Sequence, residues 1–438
     1  MSTHEDLLKR HREILPNWLA LYYQQPIALV RGDGRRVWDA EGNEYLDFFA
    51  GILTTMSGYN IPEINAAIQE QAAKIVHSST LYLIESQIEL AEKIAGLSGI
   101  PNAKVFFTNS GTEANDAAMM IATTHRGSNQ ILALRNSYHG RSFAAVGLTG
   151  NRSWSPTSLS PLSVTYIHNG YKYRSPFGHL PDDEFIAACV EDLRHMIDVG
   201  TSGTVAAMIA EPIQGVGGFT TPPDGFFGAF KEVLDEFGIL YISDEVQTGW
   251  GRTGENFWGY EAHGLVADVL TFAKGVANGL AMGGVVARSE IMDSIDANSI
   301  STFGGNPLAT AAALANINYV IDNDLQTNTL KVGNHLKSRL DHLADDPDSI
   351  VGDVRGKGLQ IGVEFVKPGT RDPDPEITMQ IMEGARERGL LIGKGGLYAN
   401  VLRIAPPLSL TEDEADEGFE KLEQAIDEAT GRSGPPRK

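Results

Sequence analysis

The sequence predicts an α/β fold, with a large domain whose mostly parallel sheet is flanked by helices and a smaller α+β domain after it. Three observations carry that expectation. Between residues 61 and 318, short apolar runs of strand length alternate with patterns of helical period, as in strand–helix–strand units. Beyond about residue 320 the texture changes to helical patterns followed by short strands. The length, 438 residues, with 42% hydrophobic and 21% charged composition, suffices for two subdomains of an ordinary globular chain.

The elements follow in order. Residues 1–60 begin polar and continue as "VRGDGRRVWDAEGNEYLDF", strands and turns punctuated by Asp33-Gly34 and Glu41-Gly42, expected to pack with the small domain. In "PEINAAIQEQAAKIVHS", Ile64, Ala67, Ile68, Ala72 and Ile75 fall at helical spacing, and "ESQIELAEKIAGL" repeats the pattern. Strands are expected at 104–107, 130–134, 205–210, 238–243 and 268–273, and helices near 112–126 and 225–237. Helical patterns at 307–322 and 326–344 lead into the small domain, 319–430. There, strands near 351–354 and 359–365, a helix near 376–389 and an acidic helix near 412–428 are expected. The tail 431–438, "GRSGPPRK", has the composition of a disordered end.

Composition excludes several partners. A formal net charge of −21 repels nucleic-acid phosphates, and no stretch has the apolar length of a membrane span. The single cysteine, Cys189, cannot form an internal disulfide, and the charged N-terminus lacks a signal-peptide core. A cytoplasmic location is expected. Any anionic small molecule must be held by a few local Arg, Lys or backbone N–H groups.

"TFAKGVANGL" (271–280) places Lys274 at the end of a buried strand, among small residues that leave room for a ligand. Burial lowers a lysine pKa, and a neutral amine forms a Schiff base with a carbonyl. A lone lysine there could equally snorkel to water. Thirty positions upstream, "LYISDEVQTGWGRTG" ends a second apolar run in Asp244-Glu245, two carboxylates that need partners at the mouth of a strand. Ligands of open α/β sheets sit at the carboxyl ends of strands, where both groups fall. A cofactor with an aldehyde and a ring nitrogen would satisfy both, which describes pyridoxal phosphate. Asp244 could instead cap a helix.

"FFTNSGTEANDAAMM" reads as strand, turn and helix start; Ser110 with Glu113 matches a capping box, and Gly111 and Thr112 leave N–H groups open to a phosphate. "STFGGNP" (301–307) is a second wall for that phosphate or simply a helix entry. Tyr138, in Tyr138-His139-Gly140-Arg141, could stack on a cofactor ring or pack in the core.

Together, "NSGTEAND", "YHGR", "DEVQTGWGRTG", "TFAKG" and "STFGGNP" resemble the class III (ω-amino-acid) aminotransferases, pyridoxal-phosphate enzymes of fold type I, over roughly residues 10 to 410. The resemblance implies that Lys274 is the Schiff-base lysine and Asp244 the partner of the pyridine nitrogen. It implies that Gln247 bonds the phenolic oxygen, that Ser110, Gly111 and Thr112 bind phosphate, and that Tyr138, with His139 beside it, lies on the ring. Thr302 would reach the phosphate of the neighbouring subunit, which implies a homodimer with shared sites. Arg403, in "VLRIAPPLSL", resembles the arginine for the acceptor's carboxylate, and Glu211, in "AEPIQGVGG", a gate that pairs with it. "EPIQGVGG", "FWGYEAHG", "FGGNPLA" and "VGDVRGKGL" are similar to members of the alanine–glyoxylate aminotransferase 2 type. Arg141 departs toward the 4-aminobutyrate and ornithine enzymes, where it can hold a distal carboxylate, whereas Val216 departs from the 4-aminobutyrate pattern.

The implied reaction is ping-pong transfer of an amino group from an ω-amino acid, alanine or primary amine to pyruvate, glyoxylate or 2-oxoglutarate, with Lys274 as general base and acid. A 4-aminobutyrate–2-oxoglutarate enzyme, or a lyase, decarboxylase or aminomutase of the same family, is the alternative.

Overall fold

The computed structural model describes residues 4–345 and 349–431. Apart from Gly431, the tail expected to be disordered lies outside the described residues. The strands are β1 (Leu29–Asp33), β2 (Arg36–Asp39), β3 (Glu44–Asp47), β4 (Ala103–Thr108), β5 (Gln130–Leu134), β6 (Ser163–Ile167), β7 (Val205–Ala210), β8 (Leu240–Asp244), β9 (Val269–Phe272), β10 (Gly283–Arg288), β11 (Val351–Lys357), β12 (Gln360–Phe365), β13 (Leu390–Leu391), β14 (Gly393–Gly395) and β15 (Val401–Ile404).

Seven strands form the large sheet in the order β4-β10-β9-β8-β7-β5-β6. β9, β8, β7, β5 and β6 run parallel, and β10 runs antiparallel to both β9 and β4. Every residue of β7, β8 and β9 is buried, as a strand covered by helices on both faces requires. Alternation divides the covering. Ile131, Ala133, Ala207, Ile209 and Ile242 pack with the helix Gly111–Arg126, through Ala114, Ala118 and Ile121. Leu132, Leu134, Met208, Ala210 and Tyr241 face the other way, onto the helices Asp182–Gly200 and Phe226–Glu236. The five parallel strands therefore present all their carboxyl ends along one edge.

The small domain is an antiparallel sheet, β11-β12-β15-β14, packed by the helices Leu325–Asp341, Pro375–Glu387 and Glu412–Thr430. The N-terminal strands form a separate sheet, β1-β2-β3-β13, in which β3 pairs in parallel with β13. Arg35 donates through Nε and Nη2 to Glu414 at 2.8 and 3.0 Å, fastening this hairpin to the last helix.

Several elements were not anticipated, the helix Asp182–Gly200 among them. β10 begins at Gly283-Gly284, a pair that reads as loop until its neighbours supply the ladder. β6 alternates with polar residues because it is an edge strand. The helix His4–Ile14 buries no residue, so no apolar stripe marks it. Among the described residues, no helix is long and apolar enough to cross a membrane and no cluster of ligands suits a metal ion.

Candidate active site

A cavity of about 370 Å³ lies at the carboxyl edge of the large sheet. Asp244, the last residue of β8, Lys274, two residues beyond β9, and Glu211, the residue after β7, all line it. Ser110, Gly111 and Thr112, Tyr138 and His139, and Gln247 complete the wall. Of the twelve residues singled out from sequence, nine thus meet in one place.

Asp244 is buried and held by three donors. His139 Nδ1 lies 2.7 Å and Asn115 Nδ2 2.8 Å from Oδ2, and the backbone N–H of Val246 donates to Oδ1 at 3.1 Å. Asn115 is fixed in turn: Nδ2 also donates to the His139 carbonyl at 2.8 Å, and Oδ1 accepts from Thr271 Oγ1 at 2.7 Å. Glu245 departs from the expectation. It does not share the mouth of the strand, because the next residue turns to the opposite side. There it accepts from Ser243 Oγ (3.0 Å), Thr248 Oγ1 (2.5 Å) and the N–H groups of Gly259 (2.8 Å) and Tyr260 (2.9 Å).

Lys274 adopts φ 46°, the left-handed region that a side chain disfavours, and such strain collects at sites where the surrounding structure dictates the conformation. The residue is half-buried, and desolvation pushes its ammonium pKa down to about 8. Asp244 and Glu211 oppose that shift, and Arg403 adds to it. The small neighbour Gly275 serves packing rather than the cavity: a Cβ there would lie 2.6 Å from Met56 Sδ.

The helix Gly111–Arg126 points its N-terminus at the cavity. Ser110 Oγ accepts from the Glu113 N–H at 3.2 Å, and the Glu113 carboxylate accepts from Asn109 N–H at 2.8 Å, which leaves other first-turn donors for an anion. Gly140 has φ 132°, and a Cβ on it would approach Thr112 Oγ1 to 2.6 Å, so only glycine lets the 138–140 turn close on that helix. Tyr138 is half-buried, edge-on to Trp154 at 5.4 Å between centroids.

The expected Glu211–Arg403 ion pair is absent among the described residues. Glu211 accepts from the N–H groups of Tyr138 (2.9 Å) and Gly215 (2.8 Å), and burial pushes its carboxyl up to about 7. Arg403 donates to the carbonyls of Gly215 (3.2 Å) and Lys394 (3.0 Å) and to the Tyr22 hydroxyl (3.0 Å), with its guanidinium 4.9 Å from the Phe49 ring. The Gly215 backbone stands between the two, its N–H on Glu211 and its carbonyl on Arg403. Arg403 itself does not line the cavity.

Arg141 and Thr302 also stand outside the cavity wall. Arg141 is exposed and lies over Trp18 at 5.0 Å. Thr302 is exposed, and the cavity's nearest link to its loop is Asn109 Nδ2, which donates to Ser301 Oγ at 3.1 Å. Sequence reasoning missed Asn115, Thr54 and Tyr22. Only Asn115 carried a signal, as a polar residue on the buried face between Ala114 and Ala118.

The chain matches the family "Aminotransferase class-III" over residues 20–426. It is 39% identical, over 96% of its length and 87% of the relative's, to an alanine–glyoxylate aminotransferase 2 homolog 2, mitochondrial, from Arabidopsis thaliana. It is 37% identical to an alanine/serine racemase from Pyrococcus horikoshii, over 98% of this chain and 91% of that one. A PLP-bound amine transaminase from an uncultivated Pseudomonas species superimposes with a TM-score of 0.87 at 32% identity, covering 92% of this chain and 95% of that one. The chain belongs to the class III aminotransferases, and it is a pyridoxal-phosphate enzyme that transfers amino groups. The cavity fits that cofactor. Gln247 Oε1 and His139 Nε2 are buried without a hydrogen-bond partner among the described residues, beside an amine, a carboxylate and an open helix N-terminus.

Proposed function

We propose that this cavity is where the enzyme passes an amino group from an ω-amino acid, alanine or primary amine to a 2-oxo acid, with Lys274 and Asp244 as its catalytic pair. The observation that carries the reading is the joint placement of a desolvated lysine amine, a carboxylate with three donors and a helix N-terminus around one space. Bound pyridoxal phosphate supplies the electron sink that stabilises a carbanion next to the amino nitrogen. Ser110, Gly111 and Thr112 hold its phosphate, and Thr302 does so across a subunit boundary. Tyr138 would lie against the ring, His139 would orient Asp244 through their hydrogen bond, and Gln247 would meet the phenolic oxygen. Asp244 would face the ring nitrogen, its carboxylate held in place by His139, Asn115 and the Val246 N–H. Lys274 tethers the cofactor and moves a proton through Nζ, for which a pKa near 8 is well matched at neutral pH.

Arg403 receives the carboxylate of the 2-oxo acid, and Arg141 sets the donor class by taking or refusing a second carboxylate. Because Glu211 is engaged by backbone rather than by Arg403, the arginine is ready for an acceptor without first breaking an ion pair. A homodimer completes the site. Leu81, Tyr82, Leu83 and Phe303 are 73%, 70%, 93% and 58% exposed, an apolar surface near the 301–304 loop that a second subunit would cover. The single, buried Cys189 supports a reducing compartment, and we place the enzyme in the cytoplasm.

Mixing the cofactor-loaded enzyme with alanine, β-alanine, 4-aminobutyrate, ornithine and simple amines, without acceptor, tests this. One or two donors should bleach the cofactor's visible absorbance and release a keto or aldehyde product in equal amount. A donor whose handedness is lost without bleaching would instead mark racemisation, the reaction named for the Pyrococcus relative.

A further inference from the structure

A second cavity, of about 400 Å³, opens in the cleft between the domains at the carboxyl ends of β5 and β6. Its one wall carboxylate, Glu364 on β12, is fully engaged. Oε1 accepts from Arg174 Nε (2.6 Å) and Asn400 Nδ2 (3.2 Å), and Oε2 from Arg355 Nη1 (2.8 Å) and the Tyr171 hydroxyl. Asp353 lies 2.6 Å from Arg355, so two arginines are matched by two carboxylates. Arg135, the residue after β5, is the cation left over. Arg135 is exposed and lines the cavity, and its guanidinium makes no hydrogen bond or ion pair among the described residues.

A hydroxyl beside it also has a proton to donate. His168 Nδ1 accepts from the Gly170 N–H at 3.1 Å, so the ring proton sits on Nε2 and is donated to Ser175 Oγ at 2.9 Å. Burial, reinforced by the charge of Arg135, pushes the His168 pKa down to about 4, which keeps the ring neutral. Ser175 Oγ accepts again from the Phe177 N–H at 3.0 Å. With both acceptor positions used, its O–H has no acceptor among the described residues and can be offered only to the cavity.

The cavity therefore presents an unpaired cation, a hydroxyl with a proton to donate, a wall carboxylate already engaged, and apolar surface from Leu397, the Tyr398 ring and Val401. Its complement is an acceptor-only anion on an apolar body. We propose that this interdomain cavity is a second ligand site, for a small monocarboxylate held by Arg135 and Ser175 with its apolar body against Leu397 and Tyr398. It is separate from the amino-transfer cavity but shares the 215–218 turn with it. Asn136 Nδ2 donates to the Gly217 carbonyl at 3.1 Å on one side, and Arg403 Nη1 donates to Gly215 on the other.

Calorimetric titration of the cofactor-loaded enzyme with 3-phenylpropanoate, which has neither an amine nor a 2-oxo group, tests the site. Saturable binding is expected, weakened about tenfold or more by Arg135→Gln and about threefold by Ser175→Ala. Arg135→Lys should recover part of the loss, and unchanged melting temperatures exclude unfolding as its cause. Arg403→Ala, which removes the carboxylate partner assigned to the other cavity, should leave this binding within about twofold. Binding lost in Arg403→Ala but kept in Arg135→Gln would overturn the proposal. So would the absence of saturable binding to the wild type below about 10 mM.

Discussion

Asp244 and Glu245 are chain neighbours of the same charge, and they serve opposite sides of one sheet edge. Asp244 faces the cavity and takes its donors from His139, Asn115 and Val246. Glu245 faces away from the cavity, which it does not line, and ties together the turn at 259–260 with Thr248 and Ser243. The first arrangement leaves a carboxylate facing the cavity, and the second uses one as a structural hub. Residue type and spacing are silent on that difference; the direction of the side chain decides it.

The comparison can be broken by substitution. Asp244→Asn should lower the rate of amino transfer by about a hundredfold or more, with thermal stability nearly unchanged, because charge is lost where the reaction develops charge. Near-normal turnover would remove Asp244 from the catalytic role. Glu245→Gln should do the reverse, costing about 2 kcal/mol of stability because one N–H of the amide must face a backbone donor. Its turnover at a permissive temperature should stay within about threefold of the wild type. A large rate loss without instability would merge the two residues' roles.

Titration sharpens the same contrast. Burial raises the Glu245 carboxyl from 4.5 to about 7, so the folded protein binds that proton more tightly than the unfolded chain does. Its contribution to stability is full below about pH 4.5 and is lost as pH rises through about 7, and Glu245→Gln should flatten that part of the profile. On the other side, Lys274 titrates downward-shifted. Uptake of pyridoxal phosphate by the apoenzyme should rise with pH through about 8 and then level, as the neutral amine fills. A rate still climbing toward 10.5 would describe an ordinary lysine.

Much of this was legible before the structure. The central strands are apolar on both faces, and the residues that end them, Asp244 and the Lys274 turn, are conspicuous for being charged where burial is expected. What escaped depends on contacts distant in sequence. Tyr22 meets Arg403 across 381 positions, and nothing in its own segment announces it. β10 is a strand only because β4 and β9 flank it. The Glu211–Arg403 pair was expected from the family resemblance, and the intervening Gly215 backbone bonds to both groups instead.

The central claim is that the amine at Lys274 carries the cofactor. Borohydride reduction of the loaded enzyme, followed by peptide mass mapping, tests it most directly. The account predicts the mass of the reduced cofactor on the peptide that holds Lys274 and on no other. Label on a different lysine, or no covalent label in an enzyme that has plainly bound pyridoxal phosphate, would contradict it.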